Sequence, residues 1–253
     1  MANELALIEP ERYPALIDGS EIREAIIANT RGEGFTEADL TRVPVPTGGG
    51  TTWTIPGISG DETTDAIVGI LVYFQPRGVL WPTMELEGSG QLPLLLTNDL
   101  ITARMVGDYY GDIDPTTLEP YRNDDGTYDW AGLTGDDGPF GWGTGKNGVG
   151  KRAKEGRLMM ILREGEGFPL VVNAPPGSLR AVSPFIKKLP VAHYRAVVSL
   201  GLEPATAVKG QKYARITAKL VGTLDAAMGK RVEELYTTPL RKMAERGLRI
   251  DAD

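Results

Sequence analysis

Residues 145–152, GKNGVGKR, have most of the spacing of a phosphate-binding loop. Gly145, Gly150 and Lys151 match the pattern G-x-x-x-x-G-K-[ST], in which backbone N–H groups and the lysine hold nucleotide phosphates. The next position, which should supply a hydroxyl for magnesium, is Arg152. Such a loop follows a buried strand and opens a helix, but glycines and aspartates precede this one and too few residues follow for a helix. A nucleotide-binding enzyme that uses this loop is therefore kept only as an alternative.

The same segment is rich in basic side chains, and aromatic rings come just before it. The basic residues are Lys146, Lys151, Arg152, Lys154 and Arg157. The rings are Phe140 and Trp142. Proteins that bind single-stranded nucleic acid combine a positive groove for phosphates with aromatic platforms, and each stacked base is worth about 1–3 kcal/mol. The segment therefore predicts a nucleic-acid contact, with Trp142 in a local core and solvated lysines as the alternative.

A strand near the C-terminus shows the same combination in alternation. In KYARITAKL, residues 212–220, small or apolar side chains on one face alternate with polar ones on the other. The polar face consists of Tyr213, Arg215, Thr217 and Lys219. We expect the apolar face to pack on a core, which leaves a ring, two bases and a hydroxyl for a bound strand. An ordinary solvent-facing strand is the alternative.

Three further side chains are candidates for the same surface. Arg163 lies on the face of a second strand that Arg157 shares, although apolar residues share that face too. Tyr73 and Trp81 are possible stacking rings, and for each of them a position in the core is the alternative.

Composition excludes several kinds of chemistry. The chain has no cysteine, so it has no disulfide, no thiolate zinc site and no cysteine nucleophile. His193 is the single histidine, which leaves no histidine cluster for a metal and no serine–histidine relay with a matching motif. We therefore predict no catalytic residue, no metal and no cofactor, and a protein that is not an enzyme.

The net charge of −7 hides two halves of opposite sign. Residues 1–143 hold 7 Lys and Arg against 24 Asp and Glu, whereas residues 144–250 hold 20 against 8. Such asymmetry indicates either a polyanion partner for the basic half or mutual neutralisation of the halves in the fold. The N-terminus does not read as a signal peptide, and the longest apolar run, residues 67–74, is too short to span a membrane. A cytoplasmic location is expected, in the host cell if the protein is viral.

The elements that must position these residues are mostly strands. Strand patterns cover residues 66–82, 157–164, 168–173, 193–202 and 212–224. A helix from Ser178 to Leu189 lies between the third and the fourth. Five strands with a helix at that point is the order of an OB-fold, a partly open Greek-key barrel. We therefore predict a β-rich α+β fold, an OB-fold-like five-stranded barrel with N- and C-terminal helices.

The chain then divides into three parts. Residues 1–60 form an N-terminal helical and extended segment that packs on the core. Residues 61–224 form the OB-like core, which a long insertion interrupts at residues 83–150. Residues 225–253 form a helical tail.

Local signals predict finer features within these parts. Asp18 and Thr36 are residues that cap helices, and each predicts a short helix near the N-terminus. The C-terminal tail should break at Thr238 and Pro239, a good N-cap followed by a good first residue. Residues 112–137 carry eight acidic side chains and one basic one among many glycines, which predicts a loop that is ordered only in part.

Three stretches resemble a family of phage and mobile-element single-stranded DNA-binding proteins. They are TRVPVPTGGGTTWTIP (41–56), IVGILVYF (67–74) and the block from WGTGKNGVGKR to PLVVNAPPGSL (142–179). The resemblance extends over about residues 40–222. It implies an OB-fold core and sequence-independent coating of single strands. Some relatives carry cysteines in the middle block that could hold zinc, and this chain has none.

The resemblance also implies a biological setting and partners. Proteins of this kind act in replication or recombination, and their acidic C-terminal tails recruit replication or recombination proteins. Here the tail ends in RIDAD, with only Asp251 and Asp253, which weakens that expectation. We therefore predict a non-enzymatic protein that binds single-stranded DNA, touches no membrane and is a candidate homo-oligomer. The other alternative is a protein–protein interaction or assembly module without nucleic-acid binding.

Overall fold

The computed structural model describes residues 6–7, 12–13, 24, 39–57, 59–84, 92–207 and 210–245. The chain divides into two compact units. Unit 1 comprises Met1–Phe74 and Leu158–Arg249, and unit 2 comprises Gln75–Arg157 with Ile250–Asp253. Unit 2 contains the predicted insertion and extends beyond it at both ends. The helices predicted after Asp18 and after Thr36 lie almost entirely outside the described residues.

The predicted strands are present, with bounds that differ by a few residues. In chain order the strands are β1 (Ala6–Leu7), β2 (Arg42–Val43), β3 (Trp53–Ile55), β4 (Glu62–Thr64), β5 (Ala66–Leu80), β6 (Leu95–Thr97), β7 (Thr102–Met105), β8 (Tyr128–Asp129), β9 (Lys154–Arg163), β10 (Leu170–Ala174), β11 (Ala196–Thr206) and β12 (Lys212–Thr223). The α-helices are α1 (Trp130–Thr134), α2 (Leu179–Lys187), α3 (Ala226–Val232) and α4 (Thr238–Glu245). A π-helical turn, Glu233–Thr237, joins α3 to α4, and Thr238 has helical backbone angles (φ −67°, ψ −47°). The break predicted at Thr238 and Pro239 is therefore wrong, because Thr238 continues the helix instead of capping a new one.

Unit 1 is based on a sheet with the strand order β1-β12-β11-β5-β9-β10-β2. Strand β11 runs antiparallel to both β12 and β5, whereas the short β1 and β2 pair in parallel with β12 and β10. The architecture is therefore mixed α+β and rich in sheet, as predicted. The strand ladders of the described residues do not close into a barrel, because β1 and β2 occupy the outer edges of β12 and β10. Beyond β2, Thr47 makes an isolated bridge to Tyr213 in β12.

Helices cover both faces of the central strands of unit 1. One buried cluster lies under α3 and α4 and includes Ile70, Val72, Leu158, Met160, Leu162, Val232 and Leu240. The other lies under α2 and includes Ile67, Leu71, Met159, Ile161, Val198, Leu200, Val182 and Ile186. Since neighbouring residues of a strand point to opposite faces, β5 and β9 contribute to both clusters in alternation. The π-helical turn is tied to β5 because the hydroxyl of Thr237 donates a hydrogen bond to Val72 O at 2.7 Å.

Unit 2 has a hydrophobic core of its own, so the partly ordered loop predicted for residues 112–137 is wrong. Leu118, Trp130 and Leu133 in that stretch are at most 1% exposed. The apolar residues there follow neither helical nor strand spacing, and the prediction rested on acidic residues and glycines instead. Gly78 makes the packing possible, because a Cβ there would lie 2.5 Å from the ring of Trp130. Such contacts between residues distant in sequence are not visible in local composition.

Several of the acidic residues in this stretch accept hydrogen bonds that stabilise turns and helix starts. Asp114 accepts a hydrogen bond from the N–H of Thr116 at 2.9 Å at the start of a short helical turn. Asp129 caps α1 by accepting one from the N–H of Gly132 at 3.0 Å. Carboxylates at these positions satisfy backbone donors that a helix start leaves open. No helix among the described residues combines the length and the apolar character needed to cross a membrane.

Candidate functional site

The glycine-rich loop of unit 2 uses its backbone donors internally. The N–H groups of Gly143 and Gly145 both donate to Gly150 O, at 2.9 and 3.0 Å. The N–H of Gly148 donates to Gly145 O at 2.9 Å. Gly148 and Gly150 have positive φ values, 70° and 68°, which glycine adopts without strain. A phosphate-binding loop needs these donors free, so the geometry does not support the nucleotide-binding alternative.

The lysine of the phosphate-loop pattern is engaged as well. Lys151 Nζ lies 3.1 Å from Oε1 of Glu155, and both side chains are about three-quarters buried. Lys151 also forms an isolated backbone bridge with Trp142, which closes the base of the loop. The backbone N–H of Arg152 donates to the hydroxyl of Thr144 at 3.1 Å, so the loop is tied to the strand that follows.

Only one tryptophan is available for stacking. Trp53, Trp130 and Trp81 are 0%, 1% and 8% exposed, whereas Trp142 is 68% exposed. Trp53 is held further by its Nε1, which donates to Leu200 O at 2.9 Å. These four are the tryptophans of the chain. Trp142 thus has the open ring expected of a platform, and a core position for it is wrong.

The other rings chosen from the sequence are less open. Tyr73 is 8% exposed and belongs to the cluster under α3 and α4, so it is a core residue rather than a platform. Trp81 lines a cleft but exposes little of its ring. Tyr213 is half-buried and its ring lies against Gly177, where a Cβ would come within 2.6 Å of the ring. Phe140, which precedes the loop, is buried and only 5% exposed.

Some basic residues of the loop region are exposed, and others form ion pairs or hydrogen bonds within the protein. Lys146 is exposed and has no carboxylate partner within the described part of the chain. Arg152 is 12% exposed; its guanidinium pairs with Asp112 and donates to Pro82 O at 2.7 Å. Lys154 is half-buried and its Nζ donates to Lys151 O at 3.3 Å. Arg152 is therefore a structural residue of unit 2 rather than an open phosphate contact.

The alternation predicted for β12 is confirmed. Ile216 is buried in the cluster under α2, and Ala218 and Leu220 pack against that cluster. The opposite face remains partly open, because Lys219 is exposed and Tyr213, Arg215 and Thr217 are half-buried. Side chains directly opposite one another in antiparallel strands share a face.

The strands next to β12 complete this face. Across from Lys219, Thr217 and Arg215 stand Ser199, Gly201 and Glu203 of β11. The register continues onto β5, where Val68 and Ala66 stand across from Ser199 and Gly201. We call the surface formed by these residues and Tyr213 the sheet face. Its middle carries only small side chains, and Val68 is 44% exposed there.

The cations of the sheet face are unequal. Arg215 Nη2 lies 2.6 Å from Oε1 of Glu203, and both side chains are about two-fifths exposed. Lys219 has no carboxylate partner among the residues that the structure describes. Glu203 was not among the residues predicted from the sequence, although the antiparallel pairing of β11 with β12 places it across from Arg215. One open and one neutralised cation remain on this face.

Two further candidates, Arg157 and Arg163, lie on β9. Arg163 makes a two-pronged pair with Glu62, both distances being 2.9 Å, and its side chain is 23% exposed. Arg157 is half-buried, and burial lowers its pKa. A bidentate pair of this kind holds a guanidinium in one geometry. Arg163 is thus occupied by the chain itself, contrary to its predicted role as an open phosphate contact.

The predicted residues that remain open therefore form two surfaces, one in each unit. One is the loop of unit 2 with Trp142 and Lys146, and the other is the sheet face of unit 1. Within the described ranges no group of three or more His, Cys, Asp or Glu side chains could hold a metal ion. No family model, no curated protein and no solved structure matches this chain, so its function is argued from its own residues.

Proposed function

We propose that this protein binds single-stranded DNA without sequence preference. The observation that carries the proposal is Trp142, whose ring is 68% exposed on a loop that also presents the exposed amine of Lys146. A base can stack on an exposed aromatic ring, and a nearby cation can pair with the phosphate that links this base to the next one. The family resemblance suggests phage or mobile-element replication or recombination as the setting.

A protruding ring favours an unpaired strand over a duplex. In a duplex each base is stacked on both faces, whereas a single strand offers base faces to a ring that reaches out. Neither a ring nor a lysine reads base edges, because stacking tolerates every base and a cation contacts the backbone. Binding by Trp142 and Lys146 is therefore expected to be independent of sequence.

The sheet face supports the same function. Small side chains between Lys219 and Tyr213 leave room for an extended polymer to lie on the strands, and Lys219 supplies an open charge. The pair between Arg215 and Glu203 must rearrange before Arg215 can contact a phosphate. This surface is therefore the weaker of the two in our proposal.

The pairing of the core strands is also in keeping with an OB-fold. The neighbours β5–β9, β9–β10, β5–β11 and β11–β12 are those of the barrel, and α2 lies between β10 and β11 in the chain. In an OB-fold the third strand also pairs with the fifth. Here the stretch that contains β2 and Thr47 lies at that gap, since β2 pairs with β10 and Thr47 bridges to Tyr213. We infer an OB-like barrel that this N-terminal stretch completes.

A second candidate function is association with another protein through unit 2. Leu92, Val106 and Tyr109 are 54%, 40% and 62% exposed. Leu92 lies near the residue that follows Val106, because a Cβ on Gly107 would be 3.6 Å from Leu92 O. Exposed apolar groups of this kind mark association surfaces. Sedimentation that shows concentration-dependent assembly, abolished by Val106→Ser, would favour this candidate.

Fluorescence anisotropy of a labelled oligo-dT tests the proposed function. We expect saturable binding at low salt, competed by mixed-sequence single strands and by duplex DNA only weakly. For single strands, log K should fall against log salt with a slope of about −0.7 per phosphate contacted. An oligo-U competitor tests the preference for DNA over RNA. Absence of saturable binding, or equal competition by duplex, would contradict the proposal.

A matched control separates a site from general charge. Lys230 is 76% exposed and pairs with Glu234 at a distance of 3.8 Å, in neither of the two surfaces. Lys230→Ala and Lys146→Ala remove the same charge from the protein. We expect only Lys146→Ala to weaken binding, and equal losses from both variants would indicate unspecific attraction.

A further inference from the structure

Unit 2 contains a small cleft that the proposed function leaves unused. Its volume is about 40 Å³. The lining residues are Trp81, Thr83, Met84, Gly145, Lys146, Arg152 and Lys154. A cavity needs roughly 10–15 Å³ to hold one water molecule, so this one has room for about three waters or one tetrahedral anion. It is far too small for a nucleotide base.

Three of the lining side chains are cations. Arg152 is fixed, because its guanidinium contacts Asp112 and Pro82 O and lies over the ring of Phe140, 5.9 Å from the centroid. Lys146 and Lys154 approach from the glycine-rich loop and from the start of β9. Asp112 offsets one of these charges through its pair with Arg152. The cleft therefore combines one guanidinium that is fixed in place with two lysines.

A buried hydroxyl in the cleft lacks a partner. Thr83 Oγ1 is shielded from solvent and makes no hydrogen bond within the described part of the chain. An unsatisfied buried hydroxyl costs about 1–3 kcal/mol, and such groups are uncommon in folded proteins. Rotation of Thr83 about χ1 would turn this hydroxyl into the cleft, where it would donate to an anion oxygen beside the donors of the lysines and the arginine. The set of donors fits an oxyanion that accepts several hydrogen bonds.

We propose that this cleft binds a terminal phosphate of the DNA strand, an inference that rests on the proposed function. A terminal phosphomonoester carries up to two negative charges, whereas an internal phosphodiester carries one, so the monoester is attracted more strongly to a lining that contains two lysines and an arginine. A terminal phosphate is joined to the strand on one side only, so the cleft needs a single opening. An internal phosphodiester is joined on both sides, so the strand would have to enter and leave the cleft. The exposed Lys146 joins the cleft to the loop that carries Trp142. The protein would then prefer strand ends over strand interiors.

The test compares short oligo-dT strands of equal length with a 5′-phosphate, a 3′-phosphate or hydroxyls at both ends. We expect one phosphorylated form to bind about tenfold more tightly, as charge-assisted hydrogen bonds of about 1.5 kcal/mol would give. Inorganic phosphate should erase the difference without abolishing binding. Equal affinity of all three strands overturns the inference while the proposed function stands. Failure of all three to bind overturns both.

Two variants show whether the preference arises in the cleft. Thr83→Val replaces the unpartnered hydroxyl by a methyl group of similar size. We expect it to leave the melting temperature equal or higher, since no hydrogen bond is lost, and to reduce the preference for the phosphorylated strand several-fold. Lys154→Met should remove most of the preference, and Lys230→Ala should leave it unchanged. A preference that survives both Thr83→Val and Lys154→Met would overturn this location for the phosphate.

Discussion

The sheet face of unit 1 and the glycine-rich loop of unit 2 carry the same types of residue and position them differently. On β12 the ladder with β11 sets the positions, so alternate side chains share a face whatever their identity. In the loop, hydrogen bonds from glycine N–H groups set the positions, and the chain reverses through residues with positive φ. The ladder leaves the tyrosine half-buried, whereas the loop leaves Trp142 open to solvent. The periodicity of a strand determines which residues share a face, whereas the conformation of a loop determines how far one side chain extends into solvent.

The two regions also differ in how their cations are balanced. The sheet face has one open lysine and one arginine paired with Glu203. The loop region has one open lysine, while Lys151 and Arg152 are paired with Glu155 and Asp112. Arg152 is mostly buried and also donates to Pro82 O, so separating it from Asp112 costs more than opening a fully exposed pair. The charge that is available for a ligand is therefore much smaller than the count of basic residues suggests.

The largest difference in DNA binding between the two regions is expected when the aromatic ring of each is replaced by alanine. We expect Trp142→Ala to weaken oligo-dT binding by about 1–3 kcal/mol, because it removes an open stacking platform. Tyr213→Ala should cost clearly less, since that ring lies against Gly177 and presents only part of its face. Anisotropy titrations at one salt concentration give both numbers. A larger loss for Tyr213→Ala would reverse the ranking of the two surfaces.

Acid should destabilise unit 1 through its single histidine. Burial, helped by the charge of Arg241, lowers the pKa of His193 to about 4, although hydrogen bonding to Val72 and the charge of Glu233 oppose the shift. Since the folded state favours the neutral ring, its contribution is present above pH 6.5 and is lost as the pH falls toward 4. We expect a loss of about 2–3 kcal/mol in the free energy of unfolding over that range.

The variant His193→Phe tests this origin. It keeps a ring that packs edge-on against Phe74, whose centroid is 5.0 Å away, and against Tyr194. Denaturant unfolding at pH 7, 5.5 and 4.5 should show a smaller decline for the variant than for the parent. Burial raises the pKa of Asp99 in unit 2, but hydrogen bonds from backbone N–H groups and from Thr97 outweigh it and lower the pKa overall, so Asp99 should lose its contribution only below the ordinary carboxyl range. An unchanged decline in the variant would exclude His193 as its cause.

The open lysines should contribute to salt dependence where the paired cations do not. Lys219→Met on the sheet face is expected to weaken binding by less than about 1 kcal/mol and to reduce the salt slope by about 0.7. Arg163→Met removes a cation that Glu62 already neutralises, so the slope should stay the same. Binding isotherms across a series of salt concentrations provide the comparison. If both variants change the slope equally, pairing does not decide which cations act.

The smallest expected change is a gain. Glu203→Gln removes the carboxylate that pairs with Arg215 and keeps the shape of the side chain. Because the pair is partly exposed, its release should strengthen oligo-dT binding only about two- to fivefold, and most at low salt. The double variant with Arg215→Met should show no gain. A weaker affinity of Glu203→Gln would mean that Glu203 orients Arg215 rather than withholding it.

The features that sequence predicted best depend on regular periodicity. The alternation along β12 and the long strand β5 follow from local patterns and both are present, whereas the helix continues through Thr238, where a break was predicted. The core of unit 2 could not be predicted, because Trp130 and Gly78 meet through a contact between distant parts of the chain. The partners of the arginines were missed for the same reason, since Arg163 and Glu62 are 101 residues apart. Residue type suggested the candidates, and only the fold decides which of them are free.

The exposure of one tryptophan among four allows the proposed function to be measured directly. Because the other three are at most 8% exposed, quenching of the intrinsic fluorescence by oligo-dT reports on Trp142. We predict saturable quenching that weakens steeply as salt is raised, and its disappearance in Trp142→Phe at protein concentrations that still bind the labelled strand. Binding of oligo-dT without any change in the Trp142 signal, or no binding at low salt, would contradict the proposed role of the loop.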